Sequence, residues 1–460
     1  MANARGTIRL GAVLFATGGH IAAWRDPHTP ADAGVEFQHF ATAAQIAERG
    51  MMDFLFLADS SSIRGSENLA SIKRQAHVSG FEPITLLSAI SSVTSHVGLV
   101  ATTSTSFHQP YRVARQFASL DLLSRGRAGW NLVTSAQEVE AKNFNLEHHY
   151  AHGDRYERAE EFAEVVLGLW DSWDRDAFVR DKQSGIFFDP DKVHILNHRG
   201  KFYSVRGPLN VARSPQARPI MFQAGSSEPG KNLAGKLAEV VFTAQPALEG
   251  AKAFYADVKS RVARYGREPD DVIVMPGLHP VLGETEAEAH RRYQALNDLI
   301  HIEVALALLS VIMGGFDFSR FPLDGPVPDM PETNGPKSRQ QLLLDRARRE
   351  NLTIRQLATI AAQSQGHGLI VGTVKQVADR LEQWFTEGAA DGFILTGVTL
   401  PHSLDDIVRL LLPELQRRGL FRRGYEGKTL RENLGLPFPI SRHEAAAQPA
   451  AKSLAKVGAT

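Results

Sequence analysis

Cysteine is absent from all 460 residues. That excludes disulfide frameworks, thiolate metal sites, iron–sulfur clusters and cysteine nucleophiles together. Neither sign of charge is in excess: Lys+Arg and Asp+Glu each number 51, so the formal net charge is zero. Binding to a phosphate backbone usually shows as a basic surplus, so no nucleic-acid partner is expected. A long hydrophobic run is missing too. The most apolar stretch, Val304 to Phe316, is too short to cross a bilayer and follows His301 and Glu303 directly. Met1 to Leu10 holds no apolar core of the signal-peptide kind. No membrane association is expected, and a soluble cytoplasmic protein is the default. What is present is an ordinary globular balance, 43% hydrophobic and 22% charged, enough for a large core.

Short β-rich runs alternate with amphipathic helical stretches. Strands are expected at Ile8–Phe15, Asp53–Ala58, Val97–Thr105, Ala128–Thr134, Pro219–Ala224, Glu239–Ala244, Val272–Gly277 and Gly392–Thr399. Helices are expected at Phe37–Arg49, Pro83–Val93, Tyr111–Leu123, about Asp154–Trp173 and Leu404–Arg417. The strands are nearly continuous apolar runs, as in a parallel sheet covered by helices on both faces. Strict β-then-α alternation fits an eight-fold (β/α) TIM barrel or an open doubly wound sheet. The strand count, with no early G-x-G-x-x-G turn, favours the α/β barrel. A single catalytic domain over residues 1–440 is expected, interrupted at about 174–214 and 299–368. The first interruption carries a hairpin signal around Asn197–Ser204. The second holds a Pro/Gly-rich stretch, Phe321 to Pro336, and a helix, Ser338–Glu350. An insertion of that length suits a lid or an oligomer contact. Ser441 to Thr460 is Ala-rich without apolar periodicity and reads as a disordered tail. There is no internal repeat.

In a barrel, chemistry sits where strands end and the following loops begin. Those ends read Asp59-Ser60-Ser61-Ser62, Thr102-Thr103-Ser104-Thr105-Ser106, Asn131-Leu132-Val133-Thr134-Ser135 and Gln223-Ala224-Gly225-Ser226-Ser227. Most are neutral hydrogen-bonding groups, a set that holds a polar cofactor and leaves the chemistry to it. Any one Ser or Thr among them equally suits a helix cap. Asp59 is the only acid in the set, against the carboxylate pair of a glycoside hydrolase.

Gly225 to Asn232 nearly matches the phosphate loop G-x-x-x-x-G-K-[ST]. Asn232 replaces the magnesium-ligating hydroxyl, and Pro229 removes an amide donor. A nucleotide triphosphatase is therefore not expected, while a Gly-Ser turn opening a helix remains a cradle for an anion. Asp154 and Glu157 form a capping-box pair before an amphipathic stripe of Ala159, Ala163, Val166, Leu167 and Trp170. Tyr156 and Arg155 then lie in a first helical turn, suited to a phosphate, though core packing and a surface ion pair fit them as well. His148, His149, His152 and Asp154 cluster in sequence without a second ligand pair, so no metal site is expected.

At these same residues the chain resembles the two-component flavin monooxygenases of the bacterial luciferase-like superfamily, and within it the nitrilotriacetate and dibenzothiophene-sulfone monooxygenase group. The resemblance rests on Phe54 to Asp59, Pro110 to Asp121, Gly126 to Ser135, His152 to Tyr156, Val205 to Leu209, Gln223 to Ser227 and Glu387 to Phe393. It covers about residues 8 to 430. It implies a barrel that takes FMN as FMNH₂ from a separate NAD(P)H:flavin reductase. O₂ would then be used through a peroxyflavin to oxygenate a small organic substrate, often with C–N or C–S cleavage. Carried over by position, the flavin contacts fall on Asp59, on Thr105 or Thr103, and on His152, Tyr156 and Ser227, with Asn131 and Ser226 as neighbours. His152 is the catalytic candidate, placed to stabilise or protonate a flavin oxygen. A homodimer or homotetramer is implied. The runner-up readings are a deazaflavin (F420)-dependent oxidoreductase and a non-catalytic flavin-binding protein. No cluster of Arg and Lys at a strand end marks a polycarboxylate substrate.

Overall fold

The computed structural model describes residues 6–331, 333–335 and 337–444. Four strands lead the chain: β1 (Arg9–Val13), β2 (Phe54–Leu57), β3 (Gly98–Ser104) and β4 (Ala128–Val133). A small antiparallel hairpin, β5 (His198–Arg199) and β6 (Ser204–Val205), follows where the hairpin signal lay. The sheet resumes with β7 (Ile220–Gln223), β8 (Val240–Thr243) and β9 (Ile273–Gly283), then β10 (Gly368–Thr373) and β11 (Gly392–Leu395). All pairings in the large sheet are parallel, and β11 pairs with both β9 and β1. Leaving out β10, the order closes on itself as eight strands, the expected barrel.

Each barrel strand is followed by a covering helix. These are α1 (Phe37–Arg49), α2 (Pro83–Ile90), α3 (Pro110–Leu123), α4 (His152–Trp170), α5 (Glu228–Leu237) and α6 (Leu248–Ala263). After β9 come α7 (Glu286–Asn297), α8 (Ile302–Ile312), α9 (Lys337–Glu350), α10 (Ile354–Ser364) and α11 (Val374–Thr386). After β11, α12 (His402–Asp406) runs on through a π-helical turn, Ile407–Leu411, into Leu412–Arg417. α1 shows why these segments fold so. Phe40, Ala43, Ala44 and Ala47 fall on one stripe and are buried, while Gly50 stops the helix.

Residue alternation along the strands divides the core in two. Val13, Phe54, Phe56, Val100, Ile220, Phe222, Val240, Ile273, Met275 and Ile394 fill the barrel interior. Leu55, Leu99, Trp130, Met221 and Phe393 face the opposite way, into the layer shared with the helices. At the N-terminal ends of the strands, acids just ahead of the ladder cap a neighbour's amide: Asp53 accepts from Leu10 N at 2.7 Å and Glu239 from Met221 N at 2.9 Å. Arg422 pairs with Asp53, and the fully buried Arg431 meets Glu239 at 2.6 Å.

The structure departs from the sequence expectation in three places. β9 is nearly twice its expected length, because its second half leaves the barrel and pairs with β10, a strand the periodicity did not indicate. The late insertion carries three helices, not one. α8 and α10 pack through Val304, Ala305, Leu308, Leu357, Ala358 and Ala361 as a second hydrophobic core. The helix expected from Asp154 starts at His152, with Ala151 as its N-cap, so Asp154 makes no capping box and instead places a carboxylate in the first turn. No single helix among the described residues is long and apolar enough to span a membrane. α7 with α8 passes by composition, but the pair is bent by 89°. Of the Ala-rich tail, residues 445–460 lie outside the described set. Ser441 is buried, and His443 stacks on His194 with ring centroids 3.7 Å apart.

Candidate functional site

One cavity of about 690 Å³ opens at the C-terminal ends of the strands and is roofed by the late insertion. Asp59, His152, Tyr156, Ser226 and Ser227 all line it, drawn from the loops after β2, β4 and β7. The remaining sequence candidates sit differently. Thr103 has the outward parity of Leu99 and Ala101, and its carbonyl accepts from Trp130 Nε1 at 3.1 Å. Thr105 donates its hydroxyl to the Val133 carbonyl at 3.2 Å. Neither threonine lines the cavity. The pleat turns Thr102 inward instead, where its hydroxyl accepts from Asn131 Nδ2 at 2.9 Å. Asn131 lies one residue before the lining Leu132, and its Oδ1 is buried without a partner.

Two helix starts meet at one end of the cavity. Ser227 caps α5, accepting from Gly230 N at 3.4 Å, and donates to the Tyr156 hydroxyl at 3.4 Å. His152 is the first residue of α4 and Tyr156 lies one turn further along the same face, ring centroids 5.1 Å apart. The turn before α5 requires glycine: a Cβ on Gly225 would come within 2.4 Å of Gln223 Nε2 and 2.7 Å of the Tyr156 hydroxyl. Gln223 Oε1 is itself buried without a partner. Free amides, hydroxyls and two helix dipoles thus converge where an anion would be stabilised. Burial, reinforced by Arg155 and Lys337, lowers the His152 imidazole from its ordinary value, so it is neutral at pH 7. Burial raises the Asp59 carboxyl to about 6, with the nearby Glu140 and Glu82 pushing the same way.

Three further groups shape the site, two of them, Glu140 and Arg339, outside the sequence reading. Glu140 is buried and accepts from Ser60 Oγ at 3.2 Å and Ser61 N at 2.9 Å, fixing the loop that carries Asp59. Arg155 is almost fully buried and forms no surface pair. It donates to the Ser135 carbonyl at 2.9 Å and to the Asn334 carbonyl at 3.0 Å, tying the insertion to the loop after β4. Arg339 of α9 reaches the cavity from the insertion, Nη2 lying 3.2 Å from His367 Nε2. The sequence points to Arg155 as a phosphate or surface-pair residue, whereas its tie to the Ser135 and Asn334 carbonyls comes from the fold. Glu140 and Arg339 are read from the fold alone.

The other sequence motifs disperse. Lys231 of the phosphate-loop lookalike pairs with Asp257 at 2.6 Å, and Asn232 accepts from Arg261 at 2.6 Å, so neither serves the cavity. His148 pairs with Glu138 at 3.0 Å, while His149 packs on Phe107 with centroids 5.0 Å apart. Among the described residues no three His, Cys, Asp or Glu side chains are grouped as a metal site.

Comparison with known proteins gives consistent matches. The profile of the luciferase-like monooxygenase family matches residues 17–391. N-acetyl-S-(2-succino)cysteine monooxygenase of Bacillus subtilis (strain 168) is 49% identical over 445 residues, 96% of this chain and 100% of that protein. Nitrilotriacetate monooxygenase component A of Aminobacter aminovorans is 47% identical over 439 residues, 94% of this chain and 97% of its own. A crystal structure of riboflavin lyase with modified FMN and riboflavin superposes with a TM-score of 0.86 at 33% identity, covering 95% of this chain and 98% of that one.

Proposed function

The chain belongs to the luciferase-like monooxygenase family, and on that premise we propose that it is an FMNH₂-dependent two-component monooxygenase that inserts oxygen into a small organic substrate. Substrates with a C–S or C–N bond to be broken suit this reading, given that the two relatives above are named for a thioether and an amine. A separate NAD(P)H:flavin reductase would supply the reduced flavin, in line with a relative named as component A. The same reading places a homo-oligomeric enzyme in the cytoplasm.

The observation that carries the reading is the meeting of the Ser227 cap of α5 with Tyr156, one turn into α4, at one end of a cavity too large for a phosphate alone. The residues fit FMN. Gly225 leaves space no Cβ could share, and the orphaned acceptors Asn131 Oδ1 and Gln223 Oε1 lie buried at neighbouring strand ends. Ser226, Ser227 and Tyr156 would hold the phosphate, and Asp59, Asn131 and a residue of the third strand end the polar parts of the ring and ribityl chain. The family resemblance points to Thr105 or Thr103 at that strand end, and Thr102 has the inward parity. Bound reduced flavin supplies the electrons that activate O₂. His152, neutral at pH 7, can hold one proton on its ring beside the phosphate end and stabilise a developing negative charge. The insertion lines one side of the cavity, the position from which it would shield the flavin from water, so that oxygen reaches the substrate instead of leaving as peroxide.

Ser227→Ala and Tyr156→Phe test the phosphate end. Each is expected to weaken FMNH₂ binding by about 1–2 kcal/mol in anaerobic titration, the loss of one hydrogen bond to a charged group. Unchanged affinity in both variants would remove these residues from the phosphate site.

A further inference from the structure

The cavity has a second polar feature that the flavin reading does not use. Arg64, in the loop after β2, and Arg339, on α9, both line it. Neither guanidinium forms an ion pair with a carboxylate among the described residues, and the one side-chain partner of Arg339 is the ring of His367. That ring cannot balance a charge, since burial holds His367 well below its ordinary value, and the adjoining His279 falls to about 3. The acids in the cavity wall are engaged elsewhere. Glu140 accepts from Ser60 and Ser61, and Asp345 accepts from Gln341 at 2.6 Å. Asp59 behaves as a carboxyl without a close cation, raised rather than lowered, with Arg64 the weakest of its influences. The insertion side of the cavity also carries apolar wall, Leu308, Val311 and Ile312 of α8, with Phe242 of the barrel. Such a wall disfavours unpaired cations, and arginine does not shed its proton at neutral pH: burial and Arg64 together lower Arg339 only to about 10.

We propose that Arg64 and Arg339 form a carboxylate subsite, and that the substrate is an organic acid whose anionic end they hold while its apolar part lies on α8. This rests on the flavin reading for the reaction, but not for the binding. A guanidinium fork matches a carboxylate in two parallel hydrogen bonds, and one from each side of the cavity suits a dicarboxylate. The alternative anion is the flavin phosphate. It is disfavoured because hydroxyls and two helix starts already serve a phosphate at Ser227 and Tyr156, on loops that do not carry these arginines. Because Arg339 belongs to the insertion, substrate would also draw α9 toward the loop after β2.

The test is calorimetric titration of the full chain with (methylthio)succinate and with its dimethyl ester, each with and without saturating FMN. The dianion is expected to bind in both conditions and the ester at least about 30-fold more weakly. Arg339→Gln and Arg64→Gln should each cost about 30-fold or more in dianion affinity, Arg339→Lys markedly less, and FMN affinity should move by less than about threefold. Equal binding of dianion and ester, or dianion affinity unchanged in both glutamine variants, would overturn the proposal. So would loss of dianion binding in FMN-saturated protein together with loss of FMN affinity in Arg339→Gln, which would give these arginines to the flavin phosphate. A wild-type chain that binds the dianion but no flavin would leave the subsite standing and remove the flavin reading.

Discussion

Asp59 illustrates how single residues in this cavity are set by what surrounds them. Its carboxyl is pushed up to about 6 by burial, so across the interval from about pH 4 to 6 the folded chain holds a proton that the unfolded chain has released. Stability contributed by that proton is therefore present at low pH and lost as pH rises through about 6. Asp59→Asn should remove this one contribution, which opposes the larger effect of the buried histidines, so unfolding free energy should fall more steeply as pH drops from about 6 to 4, as read by urea denaturation of the flavin-free protein. An unaltered slope would mean that Asp59 titrates normally. The strand-end residues Asp59, Ser226 and Ser227 were legible in sequence because a barrel strand marks its own end by a change from apolar to polar, and His152 and Tyr156 through the helix-start pattern and the family resemblance. Thr103 and Thr105 show the limit of that signal. Which residue of a Thr/Ser run points inward depends on pleat parity, and the run itself is polar on both faces.

Among the elements, the late insertion sets how closed the cavity is. It is held to the barrel by Arg155 against the carbonyls of Ser135 and Asn334, and by Asn334 Nδ2 against the Tyr150 carbonyl at 3.2 Å. Arg155 also lies 3.2 Å from Asn334 Oδ1. Asn334→Ala removes the two side-chain bonds and leaves the backbone contact, so loosening rather than loss of the fold is expected, about 1–3 kcal/mol. Amide hydrogen exchange should accelerate over residues 326–350 and stay unchanged in β1 to β4; a protection pattern identical to the parent would show that the tether carries no load. Sequence foretold an insertion here and one of its helices. It gave no sign of the tether or of β10, because Gly368–Thr373 is a short apolar run that reads equally as loop or strand until β9 is available to pair with it.

For the whole molecule, burial of neutral histidine is the dominant acid–base theme. His20, His77 and His149 are lowered to about 4, His279 to about 3, and His367 well below its ordinary value. Below pH 6.5 the unfolded chain takes up these protons and the folded chain does not, so stability falls as pH drops toward 4. Asp53, Asp59 and Asp121, raised by burial, act in the opposite sense, but they are three groups against these five and the likewise lowered His39, His108, His152 and His443. The urea midpoint should accordingly decrease between pH 7 and pH 5, and a constant or rising midpoint would contradict the burial seen here. The barrel as a whole was legible because eight apolar strands alternate with helices. The ion pairs at its N-terminal face, Arg431 with Glu239 and Arg422 with Asp53, join residues 192 and 369 positions apart and leave no local trace.

The central claim, that this chain protects reduced FMN while O₂ reacts with it, is tested most directly by stopped-flow mixing. Anaerobic protein carrying FMNH₂ is mixed with oxygenated buffer while flavin absorbance is followed. The account predicts a flavin species distinct from oxidised FMN that decays more slowly than free FMNH₂ reoxidises, and that decays faster when substrate is present. Reoxidation at the rate of free flavin, with and without an organic-acid substrate and with FMNH₂ binding shown separately, would contradict it.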